Sequence, residues 1–161
     1  MSTNFKEMKS IDYIAVHCSA SQAKANLTAK DIDVMHRKQG WFGIGYHYVI
    51  RRNGMVELGR PMPAHGAHIS GYNHCSVGIC LVGGVDAKLQ PENNFTDEQF
   101  TSLAVLVTKL KKEYPDAVVQ GHRDFPDVNK ACPCFDVKEW YAETVEPLLQ
   151  EATCPTCGQK V

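Results

Sequence analysis

Three side chains suited to binding a metal ion lie far apart in this sequence. His17 lies in the apolar run IDYIAVHCSA, whereas His122 and Cys132 lie in QGHRDFPDVNKACPCFD, residues 120–136. Two imidazoles and one thiolate can form an open zinc site, in which the fourth position is left for water. Because no short signature such as HExxH is present, the spacing alone leaves the ordinary alternatives open, namely solvated or buried histidines and a packed thiol.

The composition predicts one domain that is not specialised for nucleic acid or membranes. The chain has 161 residues, of which 43% are hydrophobic and 22% charged, and its net charge is -1. The N-terminal segment lacks the apolar stretch of a secretory signal, and no apolar run approaches the roughly 20 residues of a membrane helix. We therefore expect synthesis in the cytoplasm, where the seven cysteines stay reduced and act as metal ligands, packed groups or free thiols.

Apolar runs place both histidines at the ends of buried strands. Residues 11–19 and 76–84 form such runs, and a third, AVVQGH, ends at His122. Side chains alternate along a strand, so His17 and Cys18 should point to opposite faces. Strand ends are where a rigid scaffold meets loops, which is the usual position of functional side chains.

Helices are indicated by capping residues followed by apolar positions at helical spacing. Thr28 with Asp31 resembles a capping box that opens a helix ending near Gly40, and Thr96 opens a second helix through a box with Gln99. A third helix should begin after the capping residue Asp136 and run to about residue 150. Its inward-facing residues should be Val137, Trp140, Tyr141, Val145 and Leu148.

The remaining elements complete the predicted fold. Asn53-Gly54 between two strand-like runs is a two-residue hairpin signal. Strands and helices are therefore mixed along the chain. We predict an α/β single domain, with a central mixed β-sheet of about five strands packed by about three α-helices.

Several motifs resemble one enzyme family. They are VHCSA at 16–20, GYHYVI at 45–50, GYNHCSVGICLVGG at 71–84, NFT at 94–96 and KACPCFD at 130–136. In this order they resemble the zinc N-acetylmuramoyl-L-alanine amidases of the phage lysozyme type, with most similarity to the lysozymes of T-odd coliphages. Peptidoglycan recognition proteins are more distant relatives. The resemblance extends from about residue 10 to residue 141.

The resemblance implies roles for five residues. His17, His122 and Cys132 match the family's ligands of one catalytic zinc ion, and Tyr46 and Lys130 match its catalytic tyrosine and lysine. A cationic donor beside a zinc ligand suits stabilisation of the oxyanion formed during amide hydrolysis. Tyr46 can donate a hydrogen bond or relay a proton, and we favour it as the group that takes a proton from water.

One cysteine departs from the family pattern. Cys134 stands where a serine or another small residue is expected, and Cys132 and Cys134 flank one proline. We favour Cys132 as the ligand because it occupies the family position.

The long loop PMPAHGAHISGYNHCS supplies candidate substrate-binding residues. The resemblance suggests that His68 lines the substrate groove, and Asn73 has an amide that can bind a peptide or sugar amide. The alternative is that both residues only hold the loop in shape. Of the other histidines, His47 is expected to be structural, and three more are expected in helix or loop positions rather than at a metal: His36, His65 and His74.

These expectations define an endolysin-type peptidoglycan hydrolase. Residues 1–150 would form the zinc amidase domain, and residues 151–161 a short tail. Its CPTCG motif supplies only half of the four ligands of a structural zinc site, so we favour a flexible tail over a second zinc ion. The enzyme would act as a monomer on peptidoglycan after a separate factor permeabilises the host membrane. Two alternatives remain: a recognition module that binds peptidoglycan without cleaving it, which Cys132 and Tyr46 argue against, and an amidase that also binds and inhibits a phage RNA polymerase.

Overall fold

The computed structural model describes residues 6–152, and a five-stranded sheet lies at its centre. Its strands are β1 (Tyr13–Cys18), β3 (Tyr48–Ile50), β4 (Val56–Leu58), β5 (Ser76–Leu81) and β7 (Val118–Gly121). They lie side by side in the order β4-β3-β5-β1-β7, and only the edge strand β4 is antiparallel to its neighbour. A separate pair of short parallel strands is formed by β2 (Ser21–Gln22) and β6 (Gly84–Val85). The predicted mixed sheet is therefore confirmed.

Four α-helical segments lie in the described part of the chain. They are α1 (Ala29–Lys38), α2 (Asp97–Glu113), α3 (Val137–Thr144) and α4 (Glu146–Ala152). Both predicted capping boxes form, at Thr28 and at Thr96. Among residues 6–152, every helix is too short or too polar to cross a bilayer.

The helices cover both faces of the sheet, and the alternation of side chains along β1 separates the two layers. Ile14 and Val16 face the larger core, where they pack with apolar residues of α2 and α3. On the other face, Ile32 of α1 packs with Val49 and Cys80 of the sheet. His17 alternates with Val16 and therefore belongs to the face that carries α1.

The hairpin between β3 and β4 has a longer loop than predicted. The N–H of Arg51 donates to the carbonyl of Met55 at 2.9 Å, which leaves three residues, 52–54, in the loop. Gly54 has a φ of +89°. The predicted two-residue loop is therefore wrong, because the glycine takes the left-handed position that closes a three-residue hairpin.

The predicted last helix is broken in two. The helix that begins after Asp136 ends at Thr144, and a new helix begins at Glu146. Pro147 in its first turn lacks a backbone N–H and cannot continue the preceding helix. The break changes the buried face, so that Leu148 is 46% exposed and Leu149 packs on the core instead. Residues 153–161, which contain the predicted CPTCG tail, lie outside the described residues.

A buried glutamine joins α2 to the sheet. Gln99 is fully buried, and its amide nitrogen donates to the carbonyls of Ile50 at 3.1 Å and Val82 at 2.9 Å. Its amide oxygen accepts from the N–H of Thr96 at 3.0 Å, which closes the capping box. The sequence indicated only the cap, whereas the same side chain also donates to the carbonyl of the last residue of β3 and to the carbonyl of the residue after β5.

We expect Gln99→Leu to lower the free energy of unfolding by about 2–4 kcal/mol, because the carbonyls of Ile50 and Val82 each lose one of two donors and the N–H of Thr96 loses its acceptor. The matched control is Asp31→Leu, which removes the same capping position from the exposed box of α1 and should cost about 1 kcal/mol. Urea unfolding in the presence of a chelator measures both variants without a contribution from bound metal. Equal losses in the two variants would contradict the role assigned to Gln99.

Candidate metal site

The sheet register brings the two predicted histidine ligands to neighbouring positions. Val16 on β1 pairs with Gly121 on β7, and the strands are parallel, so His17 and His122 are the next residues at the same end of the sheet. Their ring centroids are 4.6 Å apart. The convergence of residues 105 positions apart in sequence thus follows from the pairing of two strands.

Cys132 completes the group from the loop that follows β7. Its Sγ accepts a hydrogen bond from the N–H of Cys18 at 3.2 Å, and its carbonyl accepts one from the N–H of Arg123 at 2.9 Å. The ligand atoms of His17, His122 and Cys132 all lie within 4.8 Å of one another. The structure therefore brings the three predicted ligands together, and within residues 6–152 no other histidine, cysteine or acidic residue belongs to this group.

The donor set fits a zinc ion. His17 is buried, and its pKa is held well below the usual value by burial and then by the neighbouring His68, His122 and Lys130. Burial and Lys130 also lower the pKa of His122. Neutral imidazole is the form that binds metal, and two imidazoles with one thiolate are ligands that zinc accepts in open sites.

The other thiols have different surroundings. Cys134 donates its S–H to the carbonyl of Gly84 at 3.2 Å and is not a member of the group formed by His17, His122 and Cys132. Burial, followed by the proximity of Cys18, raises the pKa of Cys134 to about 11. Cys18, Cys75 and Cys80 are buried, as predicted for packed thiols.

A groove of about 1090 Å³ runs past the candidate site. Two segments line it, residues 67–73 and residues 126–130, together with Trp41 and His122. Lys130 is exposed on this surface and is close enough to lower the pKa of both candidate histidine ligands. A chain-like ligand in the groove would therefore pass both His122 and the Lys130 cation.

Tyr46 lies beside His17, with ring centroids 5.1 Å apart. Burial, and then the nearby thiols of Cys80, Cys132 and Cys18, hold the pKa of Tyr46 well above its usual value. A phenol that keeps its proton is better suited to donate a hydrogen bond than to act as a base. The surroundings of Tyr46 thus favour the first of the two roles that the sequence left open.

The predicted substrate-binding pair lies in the groove wall, and both members have partners within the protein. His68 Nδ1 is 2.8 Å from His17 Nε2. The side-chain oxygen of Asn73 accepts from the backbone N–H groups of His68 at 2.8 Å and Ile69 at 2.9 Å, so it holds this loop in shape. Direct substrate contact by either residue stays a prediction.

Sequence reasoning missed the contact between His68 and His17, although one signal was present. A Cβ on Gly66 would lie 2.5 Å from the His68 ring, and a Cβ on Gly78 would lie 2.8 Å from it. Gly78 interrupts the otherwise apolar strand β5, and a glycine inside a strand marks a close approach by another group. The signal thus pointed to a packed neighbour of β5 but could not identify that neighbour as His68.

Two further histidines near the site are structural. His47 is buried, its Nδ1 accepts from the N–H of Gly78 at 3.0 Å, and its Nε2 donates to the carbonyl of Ala64 at 2.8 Å. This confirms the structural role predicted for it. His36 is also buried, and its Nδ1 accepts from the N–H of Gly45 at 2.9 Å, so it ties α1 to the segment that carries Tyr46.

Comparison with known proteins agrees with this geometry. The family model described as N-acetylmuramoyl-L-alanine amidase matches residues 7–135. The endolysin of Klebsiella phage KP32 is 47% identical over 137 residues, which cover 85% of this chain and 89% of the relative. The endolysin of Escherichia phage T7 is 45% identical, with the same shares of the two chains.

A solved structure shows the same fold. The N-acetylmuramoyl-L-alanine amidase LysC from Clostridium intestinale URNW is 30% identical and superposes with a TM-score of 0.71, covering 88% of this chain and 93% of LysC. The family match, the identities and the shared fold lead to one conclusion: the chain belongs to the N-acetylmuramoyl-L-alanine amidase family.

Proposed function

We propose that this protein is a zinc-dependent endolysin that cleaves bacterial peptidoglycan. The bond cleaved is the amide between the lactyl group of N-acetylmuramic acid and the L-alanine of the stem peptide. Membership of the amidase family supports the reaction class. The observation that carries the proposal is the convergence of His17, His122 and Cys132 beside a groove large enough for a peptidoglycan fragment.

The three grouped side chains would hold one zinc ion. When bound, zinc supplies Lewis acidity that polarises a carbonyl and makes water a stronger nucleophile near neutral pH. The protein prepares this site by keeping both imidazoles neutral and by directing the N–H of Cys18 at the Cys132 sulfur. That hydrogen bond fixes the position of the sulfur beside the two imidazoles.

Lys130 and Tyr46 would act on the scissile amide from two sides. Hydrolysis converts a neutral carbonyl oxygen into an oxyanion, and a cation in the groove wall stabilises that charge as it develops. Lys130 lies in that wall, two residues before Cys132. Tyr46 lies against His17 and keeps its phenolic proton, so it can donate a second hydrogen bond to the reacting group.

The cellular setting follows from the relatives, which are endolysins of bacteriophages. We infer that the protein is made in the host cytoplasm and reaches the wall after a separate factor opens the membrane. Residues 1–150 would constitute the catalytic domain, and a monomer would contain the complete site. Binding to a phage RNA polymerase stays a prediction, which co-purification of the two proteins would test.

The products of digestion distinguish an amidase from a glycosidase and from a binding module. With purified peptidoglycan, we expect new L-alanine amino groups and no new reducing sugar ends. A chelator should abolish the release of amino groups, because it competes for the metal with the three candidate ligands. Added zinc should restore the release. New reducing ends would identify a glycosidase, and tight binding to walls without product would identify a recognition module.

The same assay with ligand variants tests the metal site. We expect Cys132→Ala to lose both zinc and amidase activity, because it removes one of three ligands. The matched control is Cys75→Ala, a buried thiol outside the group, which should keep both properties. Full zinc content in Cys132→Ala would show that another residue, such as Cys134, is the ligand.

Tyr46→Phe and Lys130→Ala should each lower kcat by about 10²–10³ while zinc content stays unchanged, because each removes one donor to the developing charge. Tyr48→Phe and Lys138→Ala are matched controls, since Tyr48 lies beside Glu113 of α2 and Lys138 is exposed on α3. Amino-group release and metal analysis of the four variants measure the effects. Near-normal turnover in both test variants would reject these roles.

A further inference from the structure

A chain of hydrogen bonds leads from the start of β5 to the candidate metal site. His17 Nε2 and His68 Nδ1 are 2.8 Å apart. The other ring nitrogen of His68, Nε2, is 3.3 Å from the carbonyl oxygen of Ser76 and 3.3 Å from its hydroxyl oxygen. Both ring nitrogens of His68 are thus used within the protein, which leaves neither free for substrate.

The chemistry of Ser76 sets the direction of every bond in this chain. Its carbonyl oxygen can only accept a hydrogen bond, and its hydroxyl donates to the carbonyl of Tyr72 at 2.7 Å. The hydrogen shared with Ser76 must therefore come from His68 Nε2. In a neutral imidazole the second nitrogen is then an acceptor, so His68 Nδ1 accepts and His17 Nε2 donates.

The position of the His68 ring is fixed by packing on two sides. Gly66 and Gly78 leave space that only a hydrogen can fill, because a Cβ at either glycine would approach the ring to 2.5 Å or 2.8 Å. The backbone N–H of His68 is held by the side chain of Asn73 at 2.8 Å. The acceptor that faces His17 is therefore provided by the fold itself.

We propose that His68 is a positioning residue that sets the tautomer of His17. With its hydrogen on Nε2, His17 keeps the lone pair of Nδ1 available for a metal ion, and the hydrogen bond to His68 fixes the ring orientation. Histidine ligands commonly donate their second ring N–H to an acceptor such as a carboxylate or a carbonyl, which favours one tautomer and raises the basicity of the ligand. Here the acceptor would be His68 Nδ1. This inference rests on the proposed function only in taking the bound ion to be zinc.

Nuclear magnetic resonance of the metal-free protein tests the proposal directly. Long-range ¹H–¹⁵N spectra of the histidine rings should show the hydrogen of His17 on Nε2 and that of His68 on Nε2. A hydrogen on Nδ1 of His17 in the unaltered protein would overturn the proposal, whatever any variant does. This measurement needs no catalytic turnover, so its failure is distinct from failure of the proposed amidase function.

Zinc affinity gives the second readout. We expect His68→Leu, which removes the acceptor, to bind zinc about 10–100-fold more weakly in competition with a chelator. His68→Asn places an amide oxygen near the former Nδ1 and should recover most of that loss. His74→Leu makes the same change at an exposed histidine of the adjoining loop and should leave the affinity unchanged.

Two results separate positioning from other roles of His68. In His68→Leu, the spectra of His17 should show a mixture of tautomers alongside the weaker zinc binding. In one contrary outcome, His68→Leu loses turnover, although its His17 tautomer is unchanged and its zinc affinity equals that of the control variant His74→Leu. That outcome would show that His68 contacts substrate, and the proposal would be wrong. A fall in the free energy of unfolding without any change in tautomer would reduce His68 to a packing residue and would also overturn it.

Discussion

The parallel pairing of β1 with β5 on one side and β7 on the other is the constraint on which the site depends. Tyr13 pairs with both Ser76 and Val118, so three strands share one register. A slip of one residue in β1 would exchange the faces of all its side chains. It would bury His17 among the aliphatic residues under α2 and present Cys18 to the groove face. The packing of Ile14 and Val16 in the main core therefore determines where His17 points.

Polar contacts extend this rigidity from the strands to the loops that carry the remaining groups. The N–H of Cys18 donates to the sulfur of Cys132, so neighbouring residues of β1, His17 and Cys18, supply one candidate ligand and hold another. His47 accepts from β5 and donates to the long loop, whereas His36 ties α1 to the backbone before Tyr46. These buried imidazoles bond to backbone N–H and C=O groups in segments that have no regular secondary structure of their own. Without such partners, the buried backbone groups would lower the stability of the fold.

The sequence predicted the parts of this structure that depend on local rules. Capping residues located the starts of α1 and α2, and apolar runs located β1, β5 and β7. It predicted less where two influences compete within a few residues. At Pro147 the apolar periodicity continues although the backbone cannot, so the helix break was missed. The glycine of Asn53-Gly54 fits hairpin loops of two or three residues, and only the pairing of Arg51 with Met55 distinguishes them.

The candidate site shows the same division between local and long-range information. The motifs indicated the candidate ligands because they resemble a family, but neither spacing nor periodicity reveals that residues 17 and 122 are adjacent. That adjacency arises from the strand order, in which β1 lies between β5 and β7 although β7 is last along the chain. The contact of His68 with His17 depends on the same order, because Ser76, which contacts the His68 ring, is the first residue of β5, and β5 lies next to β1.

The exposure of Lys130 bears on how the proposed mechanism would stabilise the transition state more strongly than the bound substrate. In the open groove, water surrounds the Lys130 ammonium group, and charge interactions at high dielectric are weak. A glycan strand with its peptide would fill the space between residues 67–73 and 126–130 and displace that water. The attraction between the Lys130 cation and an oxyanion would then strengthen as the effective dielectric falls. In the proposed mechanism, the groove walls would therefore contribute to catalysis by excluding solvent around the Lys130 cation.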